Sequence, residues 1–239
     1  MTWLPGRRSA APARSVWPWF VLAVIVLTFG GCASRSSAEP SRNILWRIVS
    51  ECLDSAVSDY CATCLSPIAG TCGADRSCRR TTDVWAETTA FVAIRDIKMC
   101  GCPDGFVHGL ALPRTRVTGV EDPRRPAGIW PFAWAAAASR IDDPSAIALV
   151  VNPPDERTQD QLHVHLVRLG PDARSQVVGR SPARVDRLDQ VWDVAARRAA
   201  AAALEHYGIL VARDTASSAY LVLVQRKSPE YEFTATTCK

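Results

Sequence analysis

The segment of residues 149–168, LVVNPPDERTQDQLHVHLVR, constrains the fold more strongly than any other part of the chain. An apolar run at residues 146–151 predicts a buried strand that ends at Asn152. The polar residues 153–161 form a loop, and the alternating sequence at residues 162–168 predicts a second strand. Because the connection is short, the two strands are expected to pair as an antiparallel hairpin.

The second strand of this hairpin carries two histidines. His163 and His165 alternate with Leu162, Val164 and Leu166. Since successive side chains of a strand point to opposite faces, both imidazoles should emerge on one face, about 6.6 Å apart. The three apolar side chains then pack into a core on the other face.

The loop of the hairpin adds Arg157, Thr158, Gln159 and Asp160. Imidazole, amide and guanidinium groups at one edge of a sheet suit the chemistry of a phosphate ester. Two other interpretations stay open. The histidines are either structural or merely exposed, or they are two ligands of a zinc ion for which His108 would supply the third.

The first 32 residues predict export. Three arginines precede an uncharged, largely apolar stretch at residues 15–34, which is typical of an export signal or of a single membrane anchor. Gly30, Gly31 and Cys32 resemble the cleavage box of a bacterial lipoprotein, in which Cys32 would be lipidated. Either interpretation predicts a domain that faces the periplasm or the exterior of a bacterial cell and is tethered to its membrane.

Residues 33–42 are rich in serine and proline and predict a tether, which leaves residues 43–239 as one domain. The net charge of +4 is modest and dispersed, and no basic stripe is interleaved with aromatic residues, so nucleic acid is not an expected partner. Anionic phospholipid or a phosphate substrate fits this charge equally well.

Cysteine usage agrees with export, because an even set of cysteines in an exported domain predicts disulfides. Residues 59–82 form a cysteine-rich loop, for which a zinc knuckle, or a redox pair of Cys61 and Cys64, is the weaker interpretation. The eight cysteines beyond Cys32 are Cys52, Cys61, Cys64, Cys72, Cys78, Cys100, Cys102 and Cys238.

The order of predicted elements is one helix followed by two strands, three times over. This order predicts an α+β domain in which helices flank an antiparallel β-sheet. His206 would end the last helix in a structural role, and the aromatic residues 130, 132 and 134 would line an acyl-chain groove or belong to the core. The helices are expected at residues 43–57, 130–141 and 188–206, and the strands at 89–97, 106–113, 146–151, 162–168, 209–213 and 219–225.

The spacing around the histidines resembles a known superfamily. Asn152 lies thirteen residues before His165, Gln159 lies six before it, and His163 lies two before it. This pattern is similar to the histidine-triad superfamily of nucleotide hydrolases and transferases, in which an asparagine ends one strand and a nucleophilic histidine stands in the next. An earlier hairpin of that superfamily, with an acidic residue and then a histidine, is matched by Asp96 and His108.

Within the superfamily, the chain resembles the bacterial CDP-diacylglycerol pyrophosphatase family, whose members are tethered to the membrane and face outward. The likeness rests on Glu51-Cys52, the Arg-Thr-Gln sequence at residues 157–159, Tyr207-Gly208 and Cys238. It covers residues 43–238 apart from the cysteine-rich loop.

The resemblance implies a reaction and its participants. His165 would attack the phosphorus next to the cytidine and expel phosphatidate, and water would then release CMP from the histidine. His163 would orient the site or bind phosphate, while Asn152 and Gln159 would hold the non-bridging oxygens. No metal and no other cofactor is implied. A backbone carbonyl is the expected acceptor for the ring nitrogen that does not attack.

The remaining substrate-binding assignments also come from the resemblance. Arg157 would neutralise the pyrophosphate, Asp96 would accept hydrogen bonds from the ribose hydroxyls, and His108 is grouped with them. Substrates other than CDP-diacylglycerol, a transfer reaction, and a catalytically silent, disulfide-rich binding lipoprotein are the alternatives.

The chain departs from the superfamily pattern, which has three alternating histidines where this strand has two. If His165 is the nucleophile, the missing histidine is replaced by Val167. If the register slides by two residues, His163 is the nucleophile and Gln161 replaces the missing one. The spacings of Asn152 and Gln159 favour the first register.

Overall fold

The computed structural model describes residues 42–53, 67–68 and 82–238. The predicted export segment with Cys32, the predicted tether up to residue 41 and most of the cysteine-rich loop lie outside these ranges. Among the described residues, no helix combines the length and the apolar character that crossing a membrane requires.

A nine-stranded sheet organises the described residues, and its order is β1-β2-β3-β4-β6-β5-β8-β9-β7. The strands are β1 (Pro67–Ile68), β2 (Thr82–Glu87), β3 (Phe91–Arg95), β4 (His108–Pro113), β5 (Ile147–Val151), β6 (Val164–Arg168), β7 (Ala183–Val185), β8 (Gly208–Arg213) and β9 (Tyr220–Gln225).

The three predicted hairpins are confirmed as the pairs β3–β4, β5–β6 and β8–β9, all antiparallel. Every other pairing is antiparallel except that of β1 with β2, which is parallel. The expectation that all pairs are antiparallel is therefore wrong at this one edge. The short strand β1 lies in the segment that was expected to be an irregular loop, where period-2 alternation gives no indication of a strand.

Five helices accompany the sheet in the described ranges, and three of them correspond to predicted helices. The helices are α1 (Ile44–Arg47), which continues as a π-helix (Ile48–Cys52), α2 (Ile129–Ala138), α3 (Ala173–Gly179), α4 (Val191–Ala201) and α5 (Pro229–Phe233). The sequence analysis predicted neither α3 nor α5.

The last predicted helix extends too far, because α4 ends at Ala201. Ala203 adopts a left-handed conformation with φ of 50°, and the N–H of Leu204 donates to the carbonyl of Ala199 at 2.9 Å. This arrangement is a Schellman-type helix end, here formed without glycine. His206 therefore lies beyond the helix and is exposed, so its predicted place at the helix end is wrong.

One face of the sheet forms the main hydrophobic core. Leu162, Val164 and Leu166 are fully buried there, as the alternation predicted, and α2 and α4 cover them. Trp130 of α2 is also fully buried and packs edge-on against Trp192, with ring centroids 4.8 Å apart. Its neighbours at positions 132 and 134 pack against the same cluster, which makes this aromatic group part of the core.

The other face of the sheet is covered in two places, with the histidines between them. Leu45 of α1 and Val49 of the π-helix that continues it pack against β3 and β4. Val177 of α3 and Phe233 of α5 pack against β5, β8 and β9. His165 stands opposite both Leu110 of the first cluster and Val150 of the second, so it lies at the junction of the two.

Helix α5 is fixed at both ends. Ser228 caps it, with its hydroxyl accepting from the N–H of Tyr231 at 3.4 Å, and proline occupies the first turn. At its other end, the Phe233 carbonyl accepts from the N–H of Gly170 at 2.8 Å. A disulfide then joins Cys238 to Cys102, 136 residues earlier, with Cα atoms 5.6 Å apart.

Disulfide bonding is confirmed for the described cysteines. Besides the Cys102–Cys238 pair, both Cys52 and Cys100 are disulfide-bonded. The cysteines between positions 61 and 78 lie outside the described residues. Because the Cys102–Cys238 bridge closes a long loop, it stabilises the C-terminal segment against unfolding.

The close approach of Gly208 to α5 gives a test of this packing. A Cβ at position 208 would lie 2.5 Å from Cδ of Pro229 and 3.0 Å from the Val151 carbonyl, so Gly208→Ala must displace α5 or the sheet. We expect the free energy of unfolding, measured by urea titration, to fall by about 1–3 kcal/mol.

Gly179→Ala is the matched control, because a Cβ at that position meets no atom within 4 Å. This variant should change the stability by less than about 1 kcal/mol. Equal losses from the two substitutions would contradict the packing described for α5.

Candidate active site

The candidate site is built by three neighbouring strands and the C-terminal helix. Asn152 directly follows β5, His165 lies within β6, and His108 opens β4. In the register of the sheet, His108 stands opposite Val167, two residues beyond His165 on the same face. Glu230 of α5 reaches this cluster from above the sheet.

The three imidazoles form a row. The ring centroids of His108 and His165 are 5.3 Å apart, and those of His163 and His165 are 4.8 Å apart, both in edge-on arrangements. All three side chains are buried. His108 therefore supplies, from the neighbouring strand, a third imidazole beside a strand that carries only two.

The carboxylate of Glu230 is the centre of the site, and its side chain is only 2% exposed. Oε1 lies 2.6 Å from Nζ of Lys98 and 3.0 Å from Nε2 of His108. Oε2 accepts from Nδ2 of Asn152 at 2.6 Å and lies 3.3 Å from Nε2 of His165. One carboxylate thus contacts four groups, which come from a turn, from two strands and from the end of a third strand.

The side-chain amide of Asn152 has a defined orientation. Its Oδ1 accepts a hydrogen bond from the Ser228 hydroxyl at 2.7 Å. Nδ2 therefore faces the site, where it lies 3.3 Å from Nε2 of His165 as well as contacting Glu230. An amide held in this way is a preorganised hydrogen-bond donor next to an imidazole.

His108 lies between two carboxylates. Its Nδ1 is 3.1 Å from Oδ2 of Asp96, and its Nε2 faces Glu230. Burial alone would lower the pKa of His108, but the hydrogen bonds with Asp96 and Glu230 outweigh it, so the pKa is raised. Asp96 also caps the short helical turn Ile97–Met99 by accepting from the N–H of Lys98 at 3.0 Å.

The other two histidines are neutral near pH 7. Burial lowers the pKa of His163 and lowers that of His165 still further below its ordinary value. For Glu230, burial opposes ionisation, but the hydrogen bonds with His108 and Lys98 and the positive charge of Lys98 hold its pKa below the ordinary range. The site therefore combines an ionised carboxylate with an unprotonated His165.

The ring nitrogens of the two neutral histidines have different surroundings. Nδ1 of His163 faces the backbone carbonyl of Gln161 at 2.7 Å, which fixes the proton on that nitrogen. Nδ1 of His165 is buried and, among the described residues, has no hydrogen-bond partner. The expected backbone carbonyl acceptor is thus found at His163, whereas His165 faces the carboxylate of Glu230.

The structure brings together five of the seven residues proposed from the sequence. The other two, Arg157 and Gln159, lie on the loop that precedes β6 and pack elsewhere. The five that converge are Asp96, His108, Asn152, His163 and His165.

Arg157 is buried in an ion pair with Glu121, and its Nη2 lies 3.9 Å from Asp160. Its positive charge still contributes to the lowered pKa of His163, after the larger effect of burial. Gln159 accepts from the backbone N–H of Leu45 at 3.1 Å and so holds α1 in place. These two side chains therefore connect the loop to its surroundings instead of converging with the histidines.

The sequence analysis missed Lys98, Ser228 and Glu230. The pattern Ser-Pro-Glu at residues 228–230 is typical of a helix start, with a capping serine, a proline in the first turn and an acidic residue after it. That pattern indicates a helix but not its position over the sheet. Lys98 follows Asp96 in a turn, and nothing local indicates that its ammonium reaches a residue 132 positions later.

Three side chains of the site have atoms that could bind a metal ion. These atoms, from Asp96, His108 and His165, lie within 4.8 Å of one another. A cation here would have to displace the proton favoured on His108 and approach the ammonium of Lys98, 3.5 Å from Nε2 of His108. The arrangement is better suited to hydrogen bonding and charge pairing among its own residues than to holding a metal. The expectation that the site uses no metal stays a prediction.

Comparison with known proteins shows a similarity over the segment that contains most of the site residues. Residues 100–195 match a family model described as CDP-diacylglycerol pyrophosphatase, and this segment contains His108, Asn152, His163 and His165. This part of the chain is therefore similar to the CDP-diacylglycerol pyrophosphatase family. The matched segment ends well before Glu230.

Mycobacterial proteins show the same relationship. A protein of Mycobacterium leprae named "Probable CDP-diacylglycerol pyrophosphatase" is 34% identical over 105 residues, which cover 36% of this chain and 39% of that protein. Proteins of Mycobacterium tuberculosis and Mycobacterium bovis named "CDP-diacylglycerol pyrophosphatase" are each 42% identical over 67 residues, covering 24% of this chain and 26% of theirs. The matches thus span about two fifths or less of these relatives' length.

The raised pKa of His108 gives a prediction for stability. A histidine with a folded-state pKa above 6.5 stabilises the fold fully below pH 6.5, and this contribution is lost as the pH rises through the folded pKa. The difference in unfolding free energy between wild type and His108→Gln should therefore be larger at about pH 5.5 than at about pH 9, by roughly 1.4 kcal/mol for each unit of pKa shift.

His206→Gln is the control for this urea titration, because His206 is exposed and lies outside the site. The control should show the same pH dependence as wild type. If the difference between wild type and His108→Gln grows with rising pH, the protonated state assigned to His108 is wrong.

Proposed function

We propose that this protein hydrolyses the pyrophosphate bond of CDP-diacylglycerol to CMP and phosphatidate through a histidine nucleophile, His165. The observation that carries the proposal is the neutral imidazole of His165 beside the oriented amide of Asn152, at 3.3 Å. This pair lies in the segment that is related to the CDP-diacylglycerol pyrophosphatase family.

In the first step, the unprotonated ring nitrogen of His165 attacks the phosphorus that carries the cytidine. A nitrogen–phosphorus bond forms, and the bond from that phosphorus to the bridging oxygen breaks. Phosphatidate leaves with the electron pair. Because burial lowers the pKa of His165, the attacking nitrogen stays unprotonated at neutral pH and somewhat below it.

In the second step, water attacks the same phosphorus and the nitrogen–phosphorus bond breaks, which releases CMP and restores the imidazole. Two displacements of moderate barrier replace the direct attack of water on the pyrophosphate. The amide of Asn152 is placed to hold a non-bridging oxygen as charge shifts in each transition state.

Charged side chains around His165 support an anionic substrate. The side chain of Lys98 is 35% exposed while its ammonium contacts Glu230. The guanidinium of Arg157 is engaged by Glu121, and this ion pair would have to open for direct contact with a phosphate. The proposal also includes contact of Asp96 with the ribose hydroxyls. In the structure, the carboxylate of Asp96 is engaged by His108.

We also propose that residues 1–32 tether the domain to the outer face of a bacterial cell membrane, through lipidated Cys32 or through an uncleaved anchor. The support is the arginine-flanked apolar stretch and the disulfide at Cys102–Cys238, which suits an oxidising compartment. A tether of this kind would hold the site close to a substrate that is itself a membrane lipid.

The catalytic assignment is tested with the full chain and CDP-diacylglycerol labelled in the cytidine. Wild type should release CMP, and His165→Ala should lower kcat by about 10³-fold or more, because the nucleophile is lost. His163→Ala should cost about 10- to 100-fold, since that residue supports the site without bonding to phosphorus. His206→Ala, outside the site, should behave as wild type.

Each alternative gives a different result in the same assay. If the His165→Ala variant releases CMP and the His163→Ala variant is inactive, the nucleophile is His163. Failure of wild type to release CMP would refute the proposed activity and favour a binding protein. Loss of activity with a chelator, restored by zinc, would contradict the metal-free reaction.

The tether is tested by fractionation of expressing cells. Wild type should be recovered with the membranes and incorporate labelled fatty acid, whereas Cys32→Ser should lose the label. Retention in the membrane fraction without any label would assign an uncleaved anchor. Recovery of the wild type in the soluble fraction would contradict both forms of the tether.

A further inference from the structure

We propose that the folded domain itself docks on the surface of a phospholipid bilayer, with Ile97 and Tyr231 inserted among the lipids beside the candidate site. The docking surface is the sheet face that carries the three histidines, together with the segments that cover it, and is called the histidine face below. This contact is additional to the tether proposed for residues 1–32. Only its consequence for catalysis rests on the function proposed above.

The exposed apolar side chains are unevenly distributed over the described residues. The large ones all lie on segments that cover or border the histidine face, and none lies on α2 or α4, which cover the opposite face. Single exposed apolar residues are normal on any protein, but a set confined to one face indicates a face that meets an apolar partner. The set consists of Ile44 of α1 (42% exposed), Ile97 of the turn Ile97–Met99 (56%), Val178 of α3 (48%) and Tyr231 of α5 (63%).

The two most exposed members of this set lie next to the site. Ile97 precedes Lys98, and Tyr231 follows Glu230. Nζ of Lys98 and Oε1 of Glu230 are 2.6 Å apart, so the turn and α5 meet at this ion pair. The three histidines are buried, whereas the side chain of Lys98 is 35% exposed. Ile97 and Tyr231 therefore flank a place where the polar groups of the site reach the surface.

The charge and the chemistry of this surface favour a membrane as its partner. Arg226 and Lys227 are exposed directly before α5, and both acidic side chains of that helix are paired with basic ones. Exposed basic residues beside apolar ones favour the surface of a bilayer that contains anionic lipid. Tyrosine suits the interface of a bilayer, because its ring is apolar while its hydroxyl can stay in water.

The beginning of the described chain lies at the same face. The carbonyl of Arg42 accepts from the N–H of Asp160 at 2.8 Å, and its guanidinium pairs with the Asp160 carboxylate at 2.7 Å. Helix α1, which packs on the histidine face, follows directly. Residues 33–41 could span about 30 Å at most, so a membrane anchor in residues 1–32 would keep Arg42 within that distance of the bilayer.

Docking in this orientation explains how a lipid substrate reaches a buried site. The pyrophosphate of CDP-diacylglycerol lies at the membrane surface, while its acyl chains lie within the bilayer. With Ile97 and Tyr231 at the interface, the ammonium of Lys98 lies at the level of the headgroups. The lipid then needs to rise only a short distance for its pyrophosphate to enter the site.

The binding test uses the full chain reconstituted in vesicles of phosphatidylcholine and phosphatidylglycerol, with acyl chains brominated near the headgroup. Tyr231→Trp adds a fluorophore on the proposed interface, and Ala200→Trp adds one at an exposed position of α4, on the opposite face. Wild-type emission is subtracted to remove the native tryptophans. Since bromine quenches at short range, the added emission should fall by about half or more at position 231 and by less than about a tenth at position 200.

Two results of this measurement would overturn the docking. One is equal quenching at positions 231 and 200. The other is a tryptophan at position 231 that is shielded from acrylamide in water but not quenched by the brominated lipid, which would assign this face to a second copy of the chain. The measurement needs no activity, so it stands even if the proposed substrate is wrong.

The kinetic test compares CDP-diacylglycerol in vesicles with a short-chain analogue that dissolves as monomers. The double variant Ile97→Ser and Tyr231→Ser should fold, because both side chains are more than half exposed. We expect it to release CMP from vesicles about tenfold more slowly than wild type, because apolar contact with the bilayer is lost. Its rate on the monomeric analogue should change by less than about twofold, since the site itself is intact.

Ala200→Ser is the matched control and should equal wild type on both substrates. Equal losses of the double variant on vesicles and on the monomeric analogue would contradict the docking, because the two residues would then act on the site itself. An unchanged rate on vesicles would contradict it as well. Failure of wild type to release CMP from either substrate would refute the proposed function, and the quenching measurement would still decide the docking.

Discussion

The burial of one ionised carboxylate, that of Glu230, is the interaction on which the rest of the site depends. Removing a carboxylate from water costs several kcal/mol, and the cost is offset only when its oxygens are well paired. Here Lys98 and His108 engage one oxygen and Asn152 engages the other, with His165 close by. These partners come from a turn, two strands and a strand end, so satisfying one carboxylate brings the parts of the site together.

This requirement explains features that lie far from the histidines. Gly208 has no side chain to separate β8 from Pro229, so α5 can lie close enough to the sheet for Glu230 to reach it. The disulfide at Cys238 holds the segment that follows α5 to the turn that follows Lys98. The two segments that carry the ion pair between Lys98 and Glu230 are therefore also joined covalently, although they are distant in sequence.

The sequence predicted what local patterning controls. The alternation around His163 and His165 predicted the strand and its buried face, because side chains that alternate with a period of two are typical of a strand. The order of helices and strands predicted the α+β class. Position over the sheet is not a local property, so the approach of Glu230 was missed although its helix start is visible in the sequence. The third imidazole is also placed by strand pairing and not by local sequence. The strand of His163 and His165 has Val167 where the superfamily has a histidine, and His108 of the neighbouring strand stands opposite Val167. The family resemblance also assigned Arg157 to the site, whereas in the structure Arg157 pairs with Glu121 instead.

The covalent bond between His165 and the cytidine-bearing phosphorus is the decisive step of the proposed reaction, and trapping that adduct would show it. The full chain would be mixed with CDP-diacylglycerol labelled with ³²P at that phosphorus, quenched at alkaline pH within the first turnover, digested and sequenced by mass spectrometry. We expect label on His165, and none in the His165→Ala variant. Label on His163, or release of labelled CMP without any protein-bound label during turnover, would contradict it.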